Sequence, residues 1–236
     1  MVPSWVPLFS PLYYWAHVAA TDVQQRLRVA FTRWGLPHRI RVDNGKPWGS
    51  WNDLPPALAL WLIGLGVDMV WNDPCRPQQN GVVERSQGTA KRWAEPHKCF
   101  STSELQTRLD EDDTLQRERY PVSQGRSRWE LFPGLVHSGR PYREEDESHT
   151  WDLQRVYDHL AEYAVPRQVD SQGKVSVYNR NLYVGVVQAG KSVSVQFDPE
   201  QKHWLISDNE GRQLRTKPAP EISADAIRSL QMMGRK

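Results

Sequence analysis

Two hydrophobic rhythms share this chain, and the change between them at Pro166 limits its possible folds more than any other feature. Ahead of that point apolar residues recur at helical spacing, in segments separated by short β-branched runs. Beyond it only short runs remain, "KVSVY", "NLYVGVV", "SVSVQF", "HWLIS" and "QLRT". Turn residues separate them at Asn179-Arg180, Ala189-Gly190, Asp198-Pro199 and Asn209 to Gly211. A period of 3.6 and a period of 2 bury different faces, so the two stretches need different architectures. Five short strands with tight connections predict a small all-β barrel over 166–220, followed by a C-terminal tail over 221–236.

The first hundred residues alternate strand and helix. A strand is expected from Leu12 to Ala20, and "TDVQQRLRVAFTRWG" then sets Val23, Leu27, Ala30, Phe31 and Trp34 on one helical face. Thr21 or Asp22 is the expected cap and Gly35 the stop. "HRIRVD" reads as a strand that ends on Asp43, with Asn44 and Gly45 serving the turn behind it. A helix in "LPPALALWLIGLG", a strand in "VDMVW", a proline-rich loop and a helix from Gly81 to Trp93 complete an α/β layer over 1–100. Between it and the barrel, residues 101–165 read as a helical linker, with helices in "TSELQTRLDEDDTLQRERY" and "WDLQRVYDHLAEYAV".

With 236 residues, 39% of them hydrophobic, the chain can bury one medium and one small core. Cys75 and Cys99 stand far apart with no partner at metal spacing, which fits a reduced, cytoplasmic protein. The apolar opening is broken by Pro3, Pro7 and Pro11 and has no basic flank, so neither a signal peptide nor a membrane partner is expected. A net charge of +2 permits a nucleic-acid partner through local clusters without requiring one.

Asp43 at a strand end and Glu84 in the first turn of a later helix are candidates for sharing a divalent metal. Phosphoryl transfer uses hard oxygen ligands holding one or two ions, about 3.5 to 4 Å apart in the two-metal case. Spacing alone also allows a turn aspartate and a glutamate that offsets the helix dipole.

The flanking residues add a resemblance. "GLPHRIRVDNGKPW" and "NDPCRPQQNGVVERSQGTAKR" together resemble the integrase core of retroviral integrases and of bacterial insertion-sequence transposases of the Asp-Asp-Glu type. In that family the second acid precedes Asn-Gly behind a Gly-Leu-Pro segment, and the last acid stands in Asn-Gly-x-x-Glu-Arg. "WELFPGLVHSGRPY" and "RQVDSQGKVSVYNRNLYVG" further resemble the linker and the Mu-transposase-type C-terminal barrel of such transposases. The resemblance implies an α/β ribonuclease-H-like core, magnesium or manganese as cofactor, and DNA integration by metal-dependent strand transfer. By motif it makes Asp43 and Glu84 catalytic metal ligands. It implies DNA partners, both element ends and target, a homo-oligomer or a full-length transposase as protein partner, and a bacterial, nucleoid-associated location.

On the helix of Glu84, the same face carries Asn80, Gly88 and Lys91, with Arg92 beside them. Asn80, Lys91 and Arg92 are the expected DNA contacts, and Gly88 leaves room for a backbone to approach. In the barrel, Arg167, Lys174, Arg180, Lys191, Arg212, Arg215 and Lys217 lie near turns and strand ends, where they can meet phosphates without specifying bases.

The chain departs from the family in one place. Three acids are needed, and the first belongs on a strand ahead of "PLYYWAHVAA", where no Asp or Glu occurs. Asp22 is the first acid of the chain and reads as part of a helix start, while Asp68 and Asp73 read as structural. The core is therefore expected to lack its first strand, to bind metal weakly and to be an inactive partial copy. The alternative is a non-catalytic DNA-binding or transposase-assembly subunit.

Overall fold

The computed structural model describes residues 19–49, 53–73, 81–133 and 136–232. In chain order the elements are α1 (Ala20–Trp34), β1 (Arg39–Val42), α2 (Ala57–Gly64), β2 (Asp68–Trp71), α3 (Gly81–Ala94), α4 (Thr102–Glu118) and α5 (Arg128–Leu131). Then follow α6 (Glu147–Thr150), α7 (Leu153–Ala161), β3 (Ala164–Gln168), β4 (Lys174–Val177), β5 (Arg180–Tyr183), β6 (Ser192–Asp198), β7 (His203–Ser207), β8 (Gln213–Pro218) and α8 (Ala224–Arg228). Among the described residues the fold is mixed α/β, with one parallel strand pair and several antiparallel ones. The chain divides into two compact units. One holds the described residues through His38 together with Asp73–Asp146, and the other holds Arg39–Asn72 together with the chain from Glu147 onward.

In the first unit α1 buries Leu27, Ala30, Phe31 and Trp34, as its spacing predicts, but Gln24 is buried where Val23 was expected. The expected cap at Thr21 or Asp22 is also corrected. The helix starts at Ala20, Ala19 is the N-cap, and no side chain caps the end, so Asp22 sits inside the first turn and favours the dipole from there. Gly35 ends α1 at φ 78°, and a Cβ there would lie 2.4 Å from Ser138 Oγ and 2.7 Å from the Arg140 carbonyl. The 138–142 segment wraps this end through Ser138 N–H to the Trp34 carbonyl and Leu36 N–H to the Arg140 carbonyl, both at 2.8 Å. Ala90 and Ala94 of α3 pack on Leu105 and Leu109 of α4, small residues that let the two helices approach closely.

The second unit is built around α2, whose residues from Leu58 to Gly64 are all buried. A helix with no polar face must be covered on every side, and α7, α8 and β2 pack against it. It also makes the crossover between β1 and β2, which pair in parallel from Arg39↔Asp68 to Val42↔Trp71. In the same unit, Tyr157, Phe197, Trp204 and Tyr178 form a chain of aromatic contacts with centroids 5.3 to 6.0 Å apart. Buried Glu221 accepts the Trp204 Nε1–H at 2.8 Å and is paired with Arg180.

The five strands expected after Pro166 all form, as β4 to β8, but they do not close into a barrel among the described residues. β3-β6-β7-β8 is an open antiparallel sheet, and β4-β5 is a separate hairpin turned at Tyr178 and Asn179, both at positive φ. The extra strand, β3, takes the end of the segment read as helix in "WDLQRVYDHLAEYAV". α7 stops at Ala161, and β3 then runs through Pro166, which is tolerated because β3 is an edge strand. The strand expected from Leu12 lies outside the described residues as far as residue 18, and Ala20 already belongs to α1. Among the described residues no helix is long and apolar enough to cross a membrane.

Candidate functional site

Asp43 follows directly on Val42, the last residue of β1, and is exposed. Its backbone is held from both sides. Asn72 N–H donates to the Val42 carbonyl at 2.9 Å, continuing the parallel ladder by one step, and Asn44 Nδ2 donates to the Asn72 carbonyl at 2.7 Å. Gly45 and Gly49 exchange two backbone hydrogen bonds, and Trp71 Nε1–H reaches the Trp48 carbonyl at 2.9 Å. Asn44 and Gly45 therefore serve the turn, as expected, and the turn presents one carboxylate at the carboxyl end of a parallel strand. Strand ends of this kind are where open α/β sheets place ligands.

Glu84 lies in the first turn of α3 and is exposed, as are Arg85, Gly88, Lys91 and Arg92. The packed side of the helix is marked by Ala90 and Ala94. At 3.6 residues per turn this leaves Glu84, Gly88 and Lys91 in one stripe with Arg92 beside it. Nothing lies within 4 Å of where a Gly88 Cβ would be, so the stripe has an open notch at its centre. Arg92 reaches Thr89 Oγ1 at 3.5 Å, which keeps its guanidinium along the helix. Asn80 lies outside the described residues.

The helix packed on α3 has the opposite character. On α4, Asp110 and Glu111 are exposed, while Leu105 and Leu109 mark the side turned to α3. The carboxyl of Glu104 is held below its ordinary range by the Phe100 N–H and then by Arg108. Further along, burial raises the Asp113 carboxyl and lowers the Arg117 guanidinium, which stacks 4.2 Å from the centre of the Trp34 ring. Arg85, Lys91 and Arg92 against Glu84 leave α3 net positive, whereas acidic residues outnumber basic ones on α4.

Asp43 belongs to one compact unit and Glu84 to the other. Among the described residues no group of three or more His, Cys, Asp and Glu side chains converges. A hard divalent ion takes several oxygen ligands, so the acids of neither unit complete by themselves the metal centre that the resemblance implies. The other acids weighed as ligands have structural settings. Asp22 is half-buried in the first turn of α1, Asp68 opens β2 and pairs with Arg39 at 3.4 Å, and Asp73 is exposed just beyond β2.

The cations of the C-terminal sheets divide into two groups. Arg167 is tied to Asp53, Arg180 to Glu221, and Arg212 to Asp208 and Glu210 at 2.9 and 3.0 Å. Lys174, Lys191, Arg215 and Lys217 form no ion pair within 4.0 Å among the described residues, and these four can meet phosphate at least cost. Sequence reasoning did not separate the groups, because the acids that engage the first one are distant in the chain or lie across a turn. It also passed over Tyr183, Val186 and Val187, which are 45%, 57% and 81% exposed. A search of protein-family models finds none that matches this chain.

Proposed function

We propose that this chain is an integrase-core protein of a bacterial transposable element that holds duplex DNA, and that it does not cut or join DNA by itself. The observation that carries the reading is the exposed stripe of α3, where Glu84 shares one helix face with Lys91 and Arg92 around the open notch at Gly88. Phosphate contacts from this stripe, and from Lys174, Lys191, Arg215 and Lys217, supply affinity that does not depend on sequence. The exposed position of Asp43 just beyond the parallel strand β1 supports the reading of it as the second acid of the motif. The donor set seen among the described residues is short of what an in-line displacement needs, so no chemical step through magnesium or manganese is assigned to it.

The test has two arms on the full chain. Duplex binding is followed across a salt series, where affinity should fall steeply, independently of sequence, and more gently in Lys91→Gln/Arg92→Gln. Nicking and strand joining are assayed with magnesium and with manganese beside an Asp43→Asn/Glu84→Gln control. Salt-insensitive or strictly sequence-dependent binding removes the DNA-holding reading. Joining by the wild-type chain that the control lacks removes the inactive reading and requires a further acid in the site.

A further inference from the structure

Strand β5 ends at Tyr183, and the chain then makes a short 3₁₀ turn at Val186–Gln188 before entering β6. This turn is fixed at both ends. Gly173, at φ 75°, packs so tightly that a Cβ would lie 2.5 Å from Val186 N, and its carbonyl accepts both Val184 N–H at 2.8 Å and Gly185 N–H at 3.0 Å. On the far side, Gly190 N–H donates to the Val169 carbonyl at 3.0 Å, Val169 N–H donates to the Lys191 carbonyl at 2.9 Å, and Gln168 Nε2 donates to the Gly190 carbonyl at 2.6 Å. A turn held this firmly projects two β-branched valines whose rotamers are already restricted, so little entropy is lost when they are covered.

The rim is cationic. Lys174 faces Tyr183 across the hairpin, and exposed Lys191 follows the turn. Asp170, four residues ahead of Lys174, accepts the backbone N–H groups of Gln172 and Lys174 through one of its oxygens. A stiff apolar tip between two lysines and an amphipathic ring suits a polyanion with an apolar interior reached through a groove. Duplex DNA has both, in its phosphates and in the stacked faces of its base steps.

We infer that Val186 and Val187 enter a groove of duplex DNA, with Tyr183 against the sugar edge and Lys174 and Lys191 on the flanking phosphates. The inference rests on the DNA-holding function proposed above and adds an apolar, shape-dependent component to it. The experiment uses the full chain and compares Val186→Ser/Val187→Ser, Val187→Leu and Lys174→Gln/Lys191→Gln with wild type. Affinity for duplex DNA is read across a salt series, and bending by energy transfer between end labels.

Losing two apolar contacts in Val186→Ser/Val187→Ser should weaken binding about tenfold and reduce the bend with no change of salt slope. Val187→Leu should retain both properties, and Lys174→Gln/Lys191→Gln should lower the slope by about two. Wild-type affinity and bend in the serine variant overturn the inference and leave the DNA-holding function standing. Failure of the wild-type chain to bind DNA overturns both. Two further results overturn the inference alone, namely that the serine variant loses binding to phosphatidylglycerol vesicles but not to DNA, or that it loses self-association in sedimentation while keeping wild-type DNA binding.

Discussion

Replacing Gly64 by alanine should unsettle the unit that carries Asp43 from a distance. Gly64 closes α2, and a Cβ placed on it would lie 2.1, 2.2 and 2.6 Å from three atoms of the Trp151 indole. Carbon atoms in good contact are about 3.5 to 4.0 Å apart, so the ring would have to retreat by more than about 1 Å. Its freedom to do so is small. Trp151 is buried, its Nε1–H donates to the Trp61 carbonyl at 2.9 Å, and the next residue, Asp152, donates its N–H to the Gly64 carbonyl at 3.0 Å. Overpacking costs about 1–3 kcal/mol and a weakened buried hydrogen bond about 1 kcal/mol, while the better helix propensity of alanine returns up to about 1 kcal/mol.

The net loss is about 2 kcal/mol, equivalent to a fall in Tm of about 8 °C for a unit of this size. Thermal unfolding of the full chain, followed by calorimetry and tryptophan fluorescence, measures it. A double-mutant cycle with Trp151→Leu identifies the cause, since removing the indole should cancel the penalty of Gly64→Ala. A neutral or stabilising Gly64→Ala, or an equal penalty in the Trp151→Leu background, would refute the close-contact reasoning.

Arg180→Met leaves the Glu221 carboxylate, with its side chain 4% exposed, without its cationic partner, and should cost about 2–3 kcal/mol by denaturant unfolding, with much of the loss recovered in Arg180→Met/Glu221→Leu. Burial lowers the His159 pKa, against the opposing pull of Glu162 and Asp68. The unfolded chain therefore binds this proton more readily, and His159 should remove stability as pH falls through about 6.5 toward its folded pKa; His159→Gln should flatten that part of the stability profile. Titration calorimetry with manganese should detect only weak binding by the full chain, and tight stoichiometric binding abolished by Asp43→Asn would show a more complete ligand set.

Much of the fold was legible because local signals rarely conflicted. Gly35 ends α1 in a conformation that suits glycine, Asp152 caps α7 through the Gln154 N–H at 2.8 Å, and the alternating runs after Pro166 all became strands. The errors occurred where local preference was weak. "TDVQ" offers two good caps, yet the helix already begins at Ala20 with Ala19 as its N-cap, and the run to Val165 mixes helix and strand formers, so pairing with β6 decided where α7 gives way to β3. Closure of a barrel could not be read from strand count, because it depends on which edges meet, and the hairpin at Tyr178-Asn179 pairs β4 only with β5.

The candidate site shows the same division. Sequence alone determined that Asp43 ends a strand against an Asn-Gly turn and that Glu84, Lys91 and Arg92 occupy one helix, because both follow from short-range backbone preferences and helical period. Tertiary structure decided that the stretch bearing Asp43 packs with α7 and α8, since α2 is apolar on every side and needs more cover than its own two strands provide. It also decided which arginines are engaged by Asp53, Glu221 and Asp208, and which lysines around the valine turn form no ion pair among the described residues, because an ion pair depends on positions in space that residue order does not encode.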